Sequence, residues 1–109
     1  MSKKIFMAED DPLMSRMYER AFRSSGYELE LASDGEMAIK MLKEMNPKPV
    51  VALLDVMMPN KNGFDVLRLM KEDKDLKKIP VVLLSNLSGE EDTKKGLELG
   101  AASFMIKSE

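Results

Sequence analysis

The chain has 109 residues, of which 44% are apolar and 33% charged, carries a net charge of -2 at neutral pH, and contains no Cys and no His. That length suits one domain burying about two thirds of the surface its unfolded form exposes, and the mixture is that of a soluble globular protein. Without Cys or His there are no disulfides, no thiolate or imidazole ligands and no usual general base, so any chemistry must run on carboxylates, hydroxyls and amines.

The slightly negative balance offers no basic field for nucleic acid, because the lysines alternate with acids instead of forming one stripe. No apolar run approaches the roughly 20 residues that cross a bilayer, and "MSKKIFMAEDD" is too short in apolar residues for a secretory signal. A cytoplasmic protein with no membrane or nucleic-acid contact by this chain alone is expected.

"KKIFMAED" reads as a first strand, and a helix is expected over Pro12 to Ser25. Met14, Met17, Tyr18 and Ala21 there fall at helical spacing, and Pro12 suits the first helical position. "YELELAS" is the second strand. Asp34 then caps a helix whose apolar positions are Ala38, Met41, Leu42 and Met45. "VVALLD" is the third strand, and a third helix after Gly63 buries Val66, Leu67 and Met70.

The charge run "KEDKDLKKIP" reads as a solvated helix end and loop before the fourth strand, "IPVVLLS". A fourth helix opens with Ser88 and Glu91 in capping-box spacing and closes at Gly100. Its interior Gly96 costs about 1 kcal/mol relative to Ala, so it is expected to be the softest helix. "AASFMIK" is the fifth strand. The 11 methionines read as flexible core filler.

Short, nearly continuous apolar strands alternating with amphipathic helices predict an α/β fold, a doubly wound five-stranded parallel sheet. Ligands bind such sheets outside the carboxyl ends of the strands, and the singled-out polar residues lie there. Glu9, Asp10 and Asp11 follow the first strand, Asp55 ends the third, Ser85 the fourth and Lys107 the fifth. In the strand order 2-1-3-4-5 the first and third strands are neighbours about 4.8 Å apart, so Asp10 and Asp55 converge. Clustered carboxylates repel one another unless a cation intervenes, and oxygen-only donors favour a hard ion such as Mg²⁺. Phosphate is the natural guest: Ser85 and Lys107 can take its oxygens, and Asp55 is the available nucleophile. For any one acid the plainer reading is a cap or a surface charge; it is the conjunction that points to a site.

From Lys4 to Lys107 the chain resembles the receiver domain of two-component response regulators, the CheY-like fold. "MAEDDP" looks like the acidic motif of that family, "LLDVMMPNKNG" its phosphorylation motif, "LLSNLSG" its switch-hydroxyl segment and "ELGAASFMIK" the lead to its lysine. The resemblance implies Asp55 as phosphoacceptor, with Ser85 and Lys107 assisting. It also implies Mg²⁺ held by Asp10, Asp55 and the backbone carbonyl of Met57, with Glu9 acting through water. Ser85 and Phe104 become the switch pair. The implied donor is a histidine kinase or a histidine phosphotransfer protein, and the implied output is a changed contact with a downstream protein or a second copy of the chain. The domain is then a signalling module, not an enzyme acting on external substrates.

Some residues depart from the family pattern. Ser108 stands where Pro usually follows the lysine, so a trans bond is expected there, and Asn86 replaces a frequent Ala beside Ser85. Met57 and Leu87 occupy positions that influence hydrolysis in the family, and neither can orient water, so a long-lived phosphoryl group is expected. The family's fifth helix would follow Lys107, whereas the sequence stops at Glu109. The expectation is therefore a receiver domain over 1–109, incomplete at its C-terminus, with an apolar strip of sheet open to water.

A second reading is a pseudo-receiver that binds partners constitutively and is never phosphorylated. A hydrolase reading fails on Met57, which stands where a second acid would protonate a leaving group. A flavin-binding module is weaker still, since "MAEDDP" puts acids where a flavin phosphate would need a Ser/Thr/Gly-rich loop.

Overall fold

In the computed structural model, strands and helices alternate in the order β1 (Lys4–Ala8), α1 (Pro12–Ser24), β2 (Glu28–Ala32), α2 (Gly35–Glu44), β3 (Val51–Asp55), α3 (Gly63–Glu72), β4 (Val81–Ser85), α4 (Glu90–Glu98) and β5 (Ser103–Ile106). The structure describes residues 3–58, 60–85 and 90–106. The strands form one parallel sheet in the order β2-β1-β3-β4-β5, as expected.

The two-residue period of the strands separates the core into layers. Phe6, Ala8, Ala52, Leu54, Val81 and Leu83 face one way, onto Ala38 and Leu42 of α2 and Val66, Leu67 and Met70 of α3. Ile5, Met7, Leu53 and Leu84 face the other way, where Tyr18 and Phe22 of α1 pack against them. Covered on both sides, a strand such as β1 can be apolar at every position after Lys4.

The helix starts follow the sequence. Asp11 caps α1 with Pro12 at its first turn, and Asp34 Oδ1 accepts the Met37 N–H at 2.8 Å to cap α2. Asn62 and Asp65 form a reciprocal capping box on α3, a signal present as N-x-x-D in the sequence. The expected Ser88 start of the fourth helix lies outside the described residues.

Some expectations are corrected. From α1, Tyr18 and Phe22 pack on the sheet, and Met14, one turn before Tyr18, is half-buried; Met17 and Ala21 are exposed, with Leu13 beside them. Both stripes are apolar at i, i+4 and i+8, so periodicity alone does not choose between them. Nor is the charge run after α3 wholly solvated, since Leu76 and Ile79 turn into the core at 1% and 5% exposure. Asp73 Oδ1 holds that turn by accepting the Asp75 and Leu76 N–H groups at 2.8 and 3.1 Å. Of the methionines, Met7 and Met70 are fully buried, but Met17, Met37, Met57 and Met105 are exposed.

Gly96 has a packing role that helix propensity conceals. A Cβ there would stand 2.6 Å from Leu83 Cδ1 and 3.3 Å from Phe104 Cδ2, so its absence lets α4 lie close on β4 and β5. Lys95 adds a contact across helices, its Nζ 4.6 Å from the centre of the Phe64 ring. On the opposite face, toward the open end of the sheet, Met105 is exposed and Val82 only partly buried.

Candidate functional site

The carboxyl ends of β1 and β3 bring three acids together. Glu9 and Asp10 follow Ala8 at the end of β1, and Asp55 is the last residue of β3, whose Leu54 pairs with Ala8. One carboxylate oxygen from each of Glu9, Asp10 and Asp55 lies within 4.8 Å of the others. Glu9 and Asp55 are each 3% exposed, whereas Asp10 opens to solvent. Two buried acids beside a third repel one another, and a cation held among them would relieve that repulsion.

The backbone around the cluster is firmly placed. The Glu9 N–H donates to the Ala32 carbonyl at 3.0 Å, and the Val56 N–H to the Leu84 carbonyl at 2.8 Å, extending the ladder past both strand ends. Glu9 Oε2 accepts the Asp11 N–H at 3.1 Å, and Asp55 Oδ1 accepts the Met57 N–H at 3.2 Å. The turn after Asp55 is closed by the Gly63 N–H on the Val56 carbonyl at 3.1 Å.

Ser85 is buried to 3% exposure and pairs with Ile106 one step beyond the Asp55–Leu84 pair, so its hydroxyl belongs to the same end of the sheet. Phe104 pairs with Leu83 and is partly buried against the core beneath α4. The side chain of Met57 is 70% exposed while its N–H points to Asp55. The structure thus unites Glu9, Asp10 and Asp55 and sets Ser85 on the adjoining strand. Lys107, Ser108, Asn86 and Leu87 lie outside the described residues.

An oxygen-only set of three carboxylates open on one side fits a hard divalent cation that keeps some of its waters. It does not fit a soft metal. Asp11, grouped with the acids in the sequence, caps α1 instead through a 2.9 Å bond from the Leu13 N–H. Gly35 and Lys61, which the sequence did not single out, pack against each other next to the turn after β3. Only a non-local contact reveals them, so no spacing rule would have found them.

A doubly wound parallel sheet in the order β2-β1-β3-β4-β5, with three acids gathered at its β1/β3 switch point, has the architecture of the CheY-like receiver class. Residues 5–109 match the response regulator receiver domain, and the chain belongs to that family. It is 39% identical over 107 residues to Response regulator PleD of Caulobacter vibrioides, covering 98% of this chain and 23% of PleD. The chain spans less than half the length of the first curated relatives it matches.

Among solved structures, the phosphorylated cyanobacterial phytochrome response regulator RcpA superposes with a TM-score of 0.91 at 32% identity, over 99% of this chain and 82% of that one. The Mn²⁺-bound form of response regulator Rcp1 gives 0.88 at 34% identity, over 97% and 81%. No helix among the described residues is long and apolar enough to cross a membrane.

Proposed function

We propose that this receiver domain accepts a phosphoryl group on Asp55 from a phosphohistidine of a partner kinase or phosphotransfer protein and then changes its contacts with a downstream protein. The observation that carries the reading is the convergence of Glu9, Asp10 and Asp55 within 4.8 Å, with Ser85 one strand away. The phosphorylated and Mn²⁺-bound relatives agree with it in kind.

A bound Mg²⁺ would neutralise the acids and the incoming phosphoryl oxygens. Asp10, Asp55 and the Met57 carbonyl would hold it directly, with Glu9 reaching it through water. Asp55 presents its carboxylate oxygen to phosphorus; the new P–O bond forms as the P–N bond to the donor imidazole breaks, and the imidazole takes up a proton. The Met57 N–H orients the attacking carboxylate. Ser85 and Lys107 then bind the transferred oxygens. Ser85 moving toward phosphate vacates space for Phe104 to turn inward, and α4 and β5 follow as a population shift.

The test is transfer from a phosphorylated histidine phosphotransfer protein. Label should move to the wild-type chain only with Mg²⁺ present and should not move to Asp55→Asn. Retention of label on the donor, with partner binding intact, would favour the constitutive binding module instead.

A further inference from the structure

Gly35 begins α2, on a different element from any residue of the site, yet a Cβ built on it would run into the main chain of Lys61, far inside van der Waals contact with its carbonyl oxygen and 2.6 Å from its carbonyl carbon. Such an overlap with backbone cannot be relieved by a side-chain rotation, so one of the two segments must move.

The segment that gives is the turn. α2 is anchored by Ala38 and Leu42, both 0% exposed, and by its Asp34 cap. Lys61 follows the exposed Asn60, whose φ is 68°, and is itself only partly buried. Lys61 leads directly into Asn62, the cap of α3, and then into Gly63, where a Cβ would stand 2.5 Å from the Asp55 carbonyl oxygen. Gly35 thus lies against the main chain of Lys61, and Gly63, two residues on, lies against the main chain of Asp55.

We propose that Gly35 is a positioning residue for Asp55: its missing side chain seats the 60–62 turn against α2, and that seat sets the main chain from which the Asp55 carboxylate projects. The role rests on the receiver reading of Asp55 but concerns a residue outside the acidic cluster. A displacement on the ångström scale at the turn is enough to disturb metal and phosphoryl geometry.

The experiment compares wild type, Gly35→Ala and Gly26→Ala. Gly26 has φ 90° and nothing within 4 Å of a built Cβ, so its substitution strains the backbone without pressing on a neighbour. Mg²⁺ affinity is read from amide resonances of Met57 and Gly63, and phosphoryl uptake from acetyl phosphate by intact mass, at a temperature where the variants are folded. Gly35→Ala should weaken Mg²⁺ binding or slow uptake about tenfold or more, while Gly26→Ala stays within about twofold. A folded Gly35→Ala that keeps both within about twofold overturns the proposal.

The Gly35 amide resonance of the wild type is followed in the same Mg²⁺ titration, which keeps the test decisive if Gly35→Ala does not fold. It should move with the midpoint of Met57, and a stationary Gly35 resonance overturns the proposal. Failure of the wild type to take up phosphate would count against the phosphoacceptor reading alone, since the Mg²⁺ arms still judge Gly35.

Discussion

The main-chain N–H of Met57 donates to Oδ1 of Asp55 across 3.2 Å, so the turn that follows β3 orients the carboxylate at its tip. Asn in place of Asp55 keeps an oxygen able to accept that bond while removing one charge from the Glu9–Asp10–Asp55 cluster. In chelator-treated buffer Asp55→Asn should therefore be more stable than wild type, by about 1 kcal/mol for the relieved repulsion with Glu9 and Asp10. Added Mg²⁺ should stabilise the wild type by about 2.7 kcal/mol at a hundred times its Kd, and the variant far less. Urea denaturation with and without Mg²⁺ measures both effects; equal stabilisation of the two proteins would show that Asp55 does not contribute to the metal site.

Gly96→Ala sets helix propensity against packing. The exchange gains about 1 kcal/mol in α4 as an isolated helix. It also drives a methyl group to 2.6 Å from Cδ1 of Leu83, a residue with 0% exposure. Overpacking of that kind costs about 1–3 kcal/mol, so the variant should be less stable by about 1 kcal/mol. Chemical denaturation checks the sign, and a stabilised variant would mean that α4 does not rest on β4 as described.

Acid should loosen the turn after α3. The N–H of Asp75, followed by that of Leu76, holds the Asp73 carboxyl below its ordinary pKa against an opposing desolvation, and Lys43 and Lys48 add smaller lowering contributions. Because the folded value is depressed, the stabilisation is present above the ordinary Asp range and is lost as pH falls through the folded value. The stability gap between wild type and Asp73→Ala should be full near neutral pH and close in acid. Thermal melts across that range read it directly. A gap that does not change with pH would assign the Asp73 contribution to something other than its charge.

Once formed, a phosphoryl group on Asp55 should persist. Met57, two residues on, is 70% exposed and carries no acid or amide to orient water, and Leu87 is equally unable to do so. Met57→Glu should shorten the lifetime by supplying such a group. Decay of phosphoprotein after donor removal is the measurement, and loss within seconds in the wild type would contradict this.

Much of the scaffold was legible because it rests on local signals. Period-two apolar runs marked the strands, and Pro12 and Asp34 marked helix starts within a residue. The acids were legible as a site because each falls at the same end of its strand. What stayed hidden was non-local. Whether α1 turns Tyr18 and Phe22 or its equally apolar neighbouring stripe toward the core depends on the sheet beneath it, and Leu76 and Ile79 are apolar anchors inside a charge run. Gly96 read as a defect because its partners, Leu83 and Phe104, lie on the strands β4 and β5 and not on its own helix. Gly35 carried no signal at all until Lys61 was seen against it.

Intact mass after incubation with acetyl phosphate, with and without Mg²⁺ and beside Asp55→Asn, needs no partner protein and bears most directly on Asp55 as the acceptor. A Mg²⁺-dependent gain of one phosphoryl group in the wild type and none in the variant is expected. An unchanged wild-type mass in a folded sample, or an equal gain in Asp55→Asn, would contradict it.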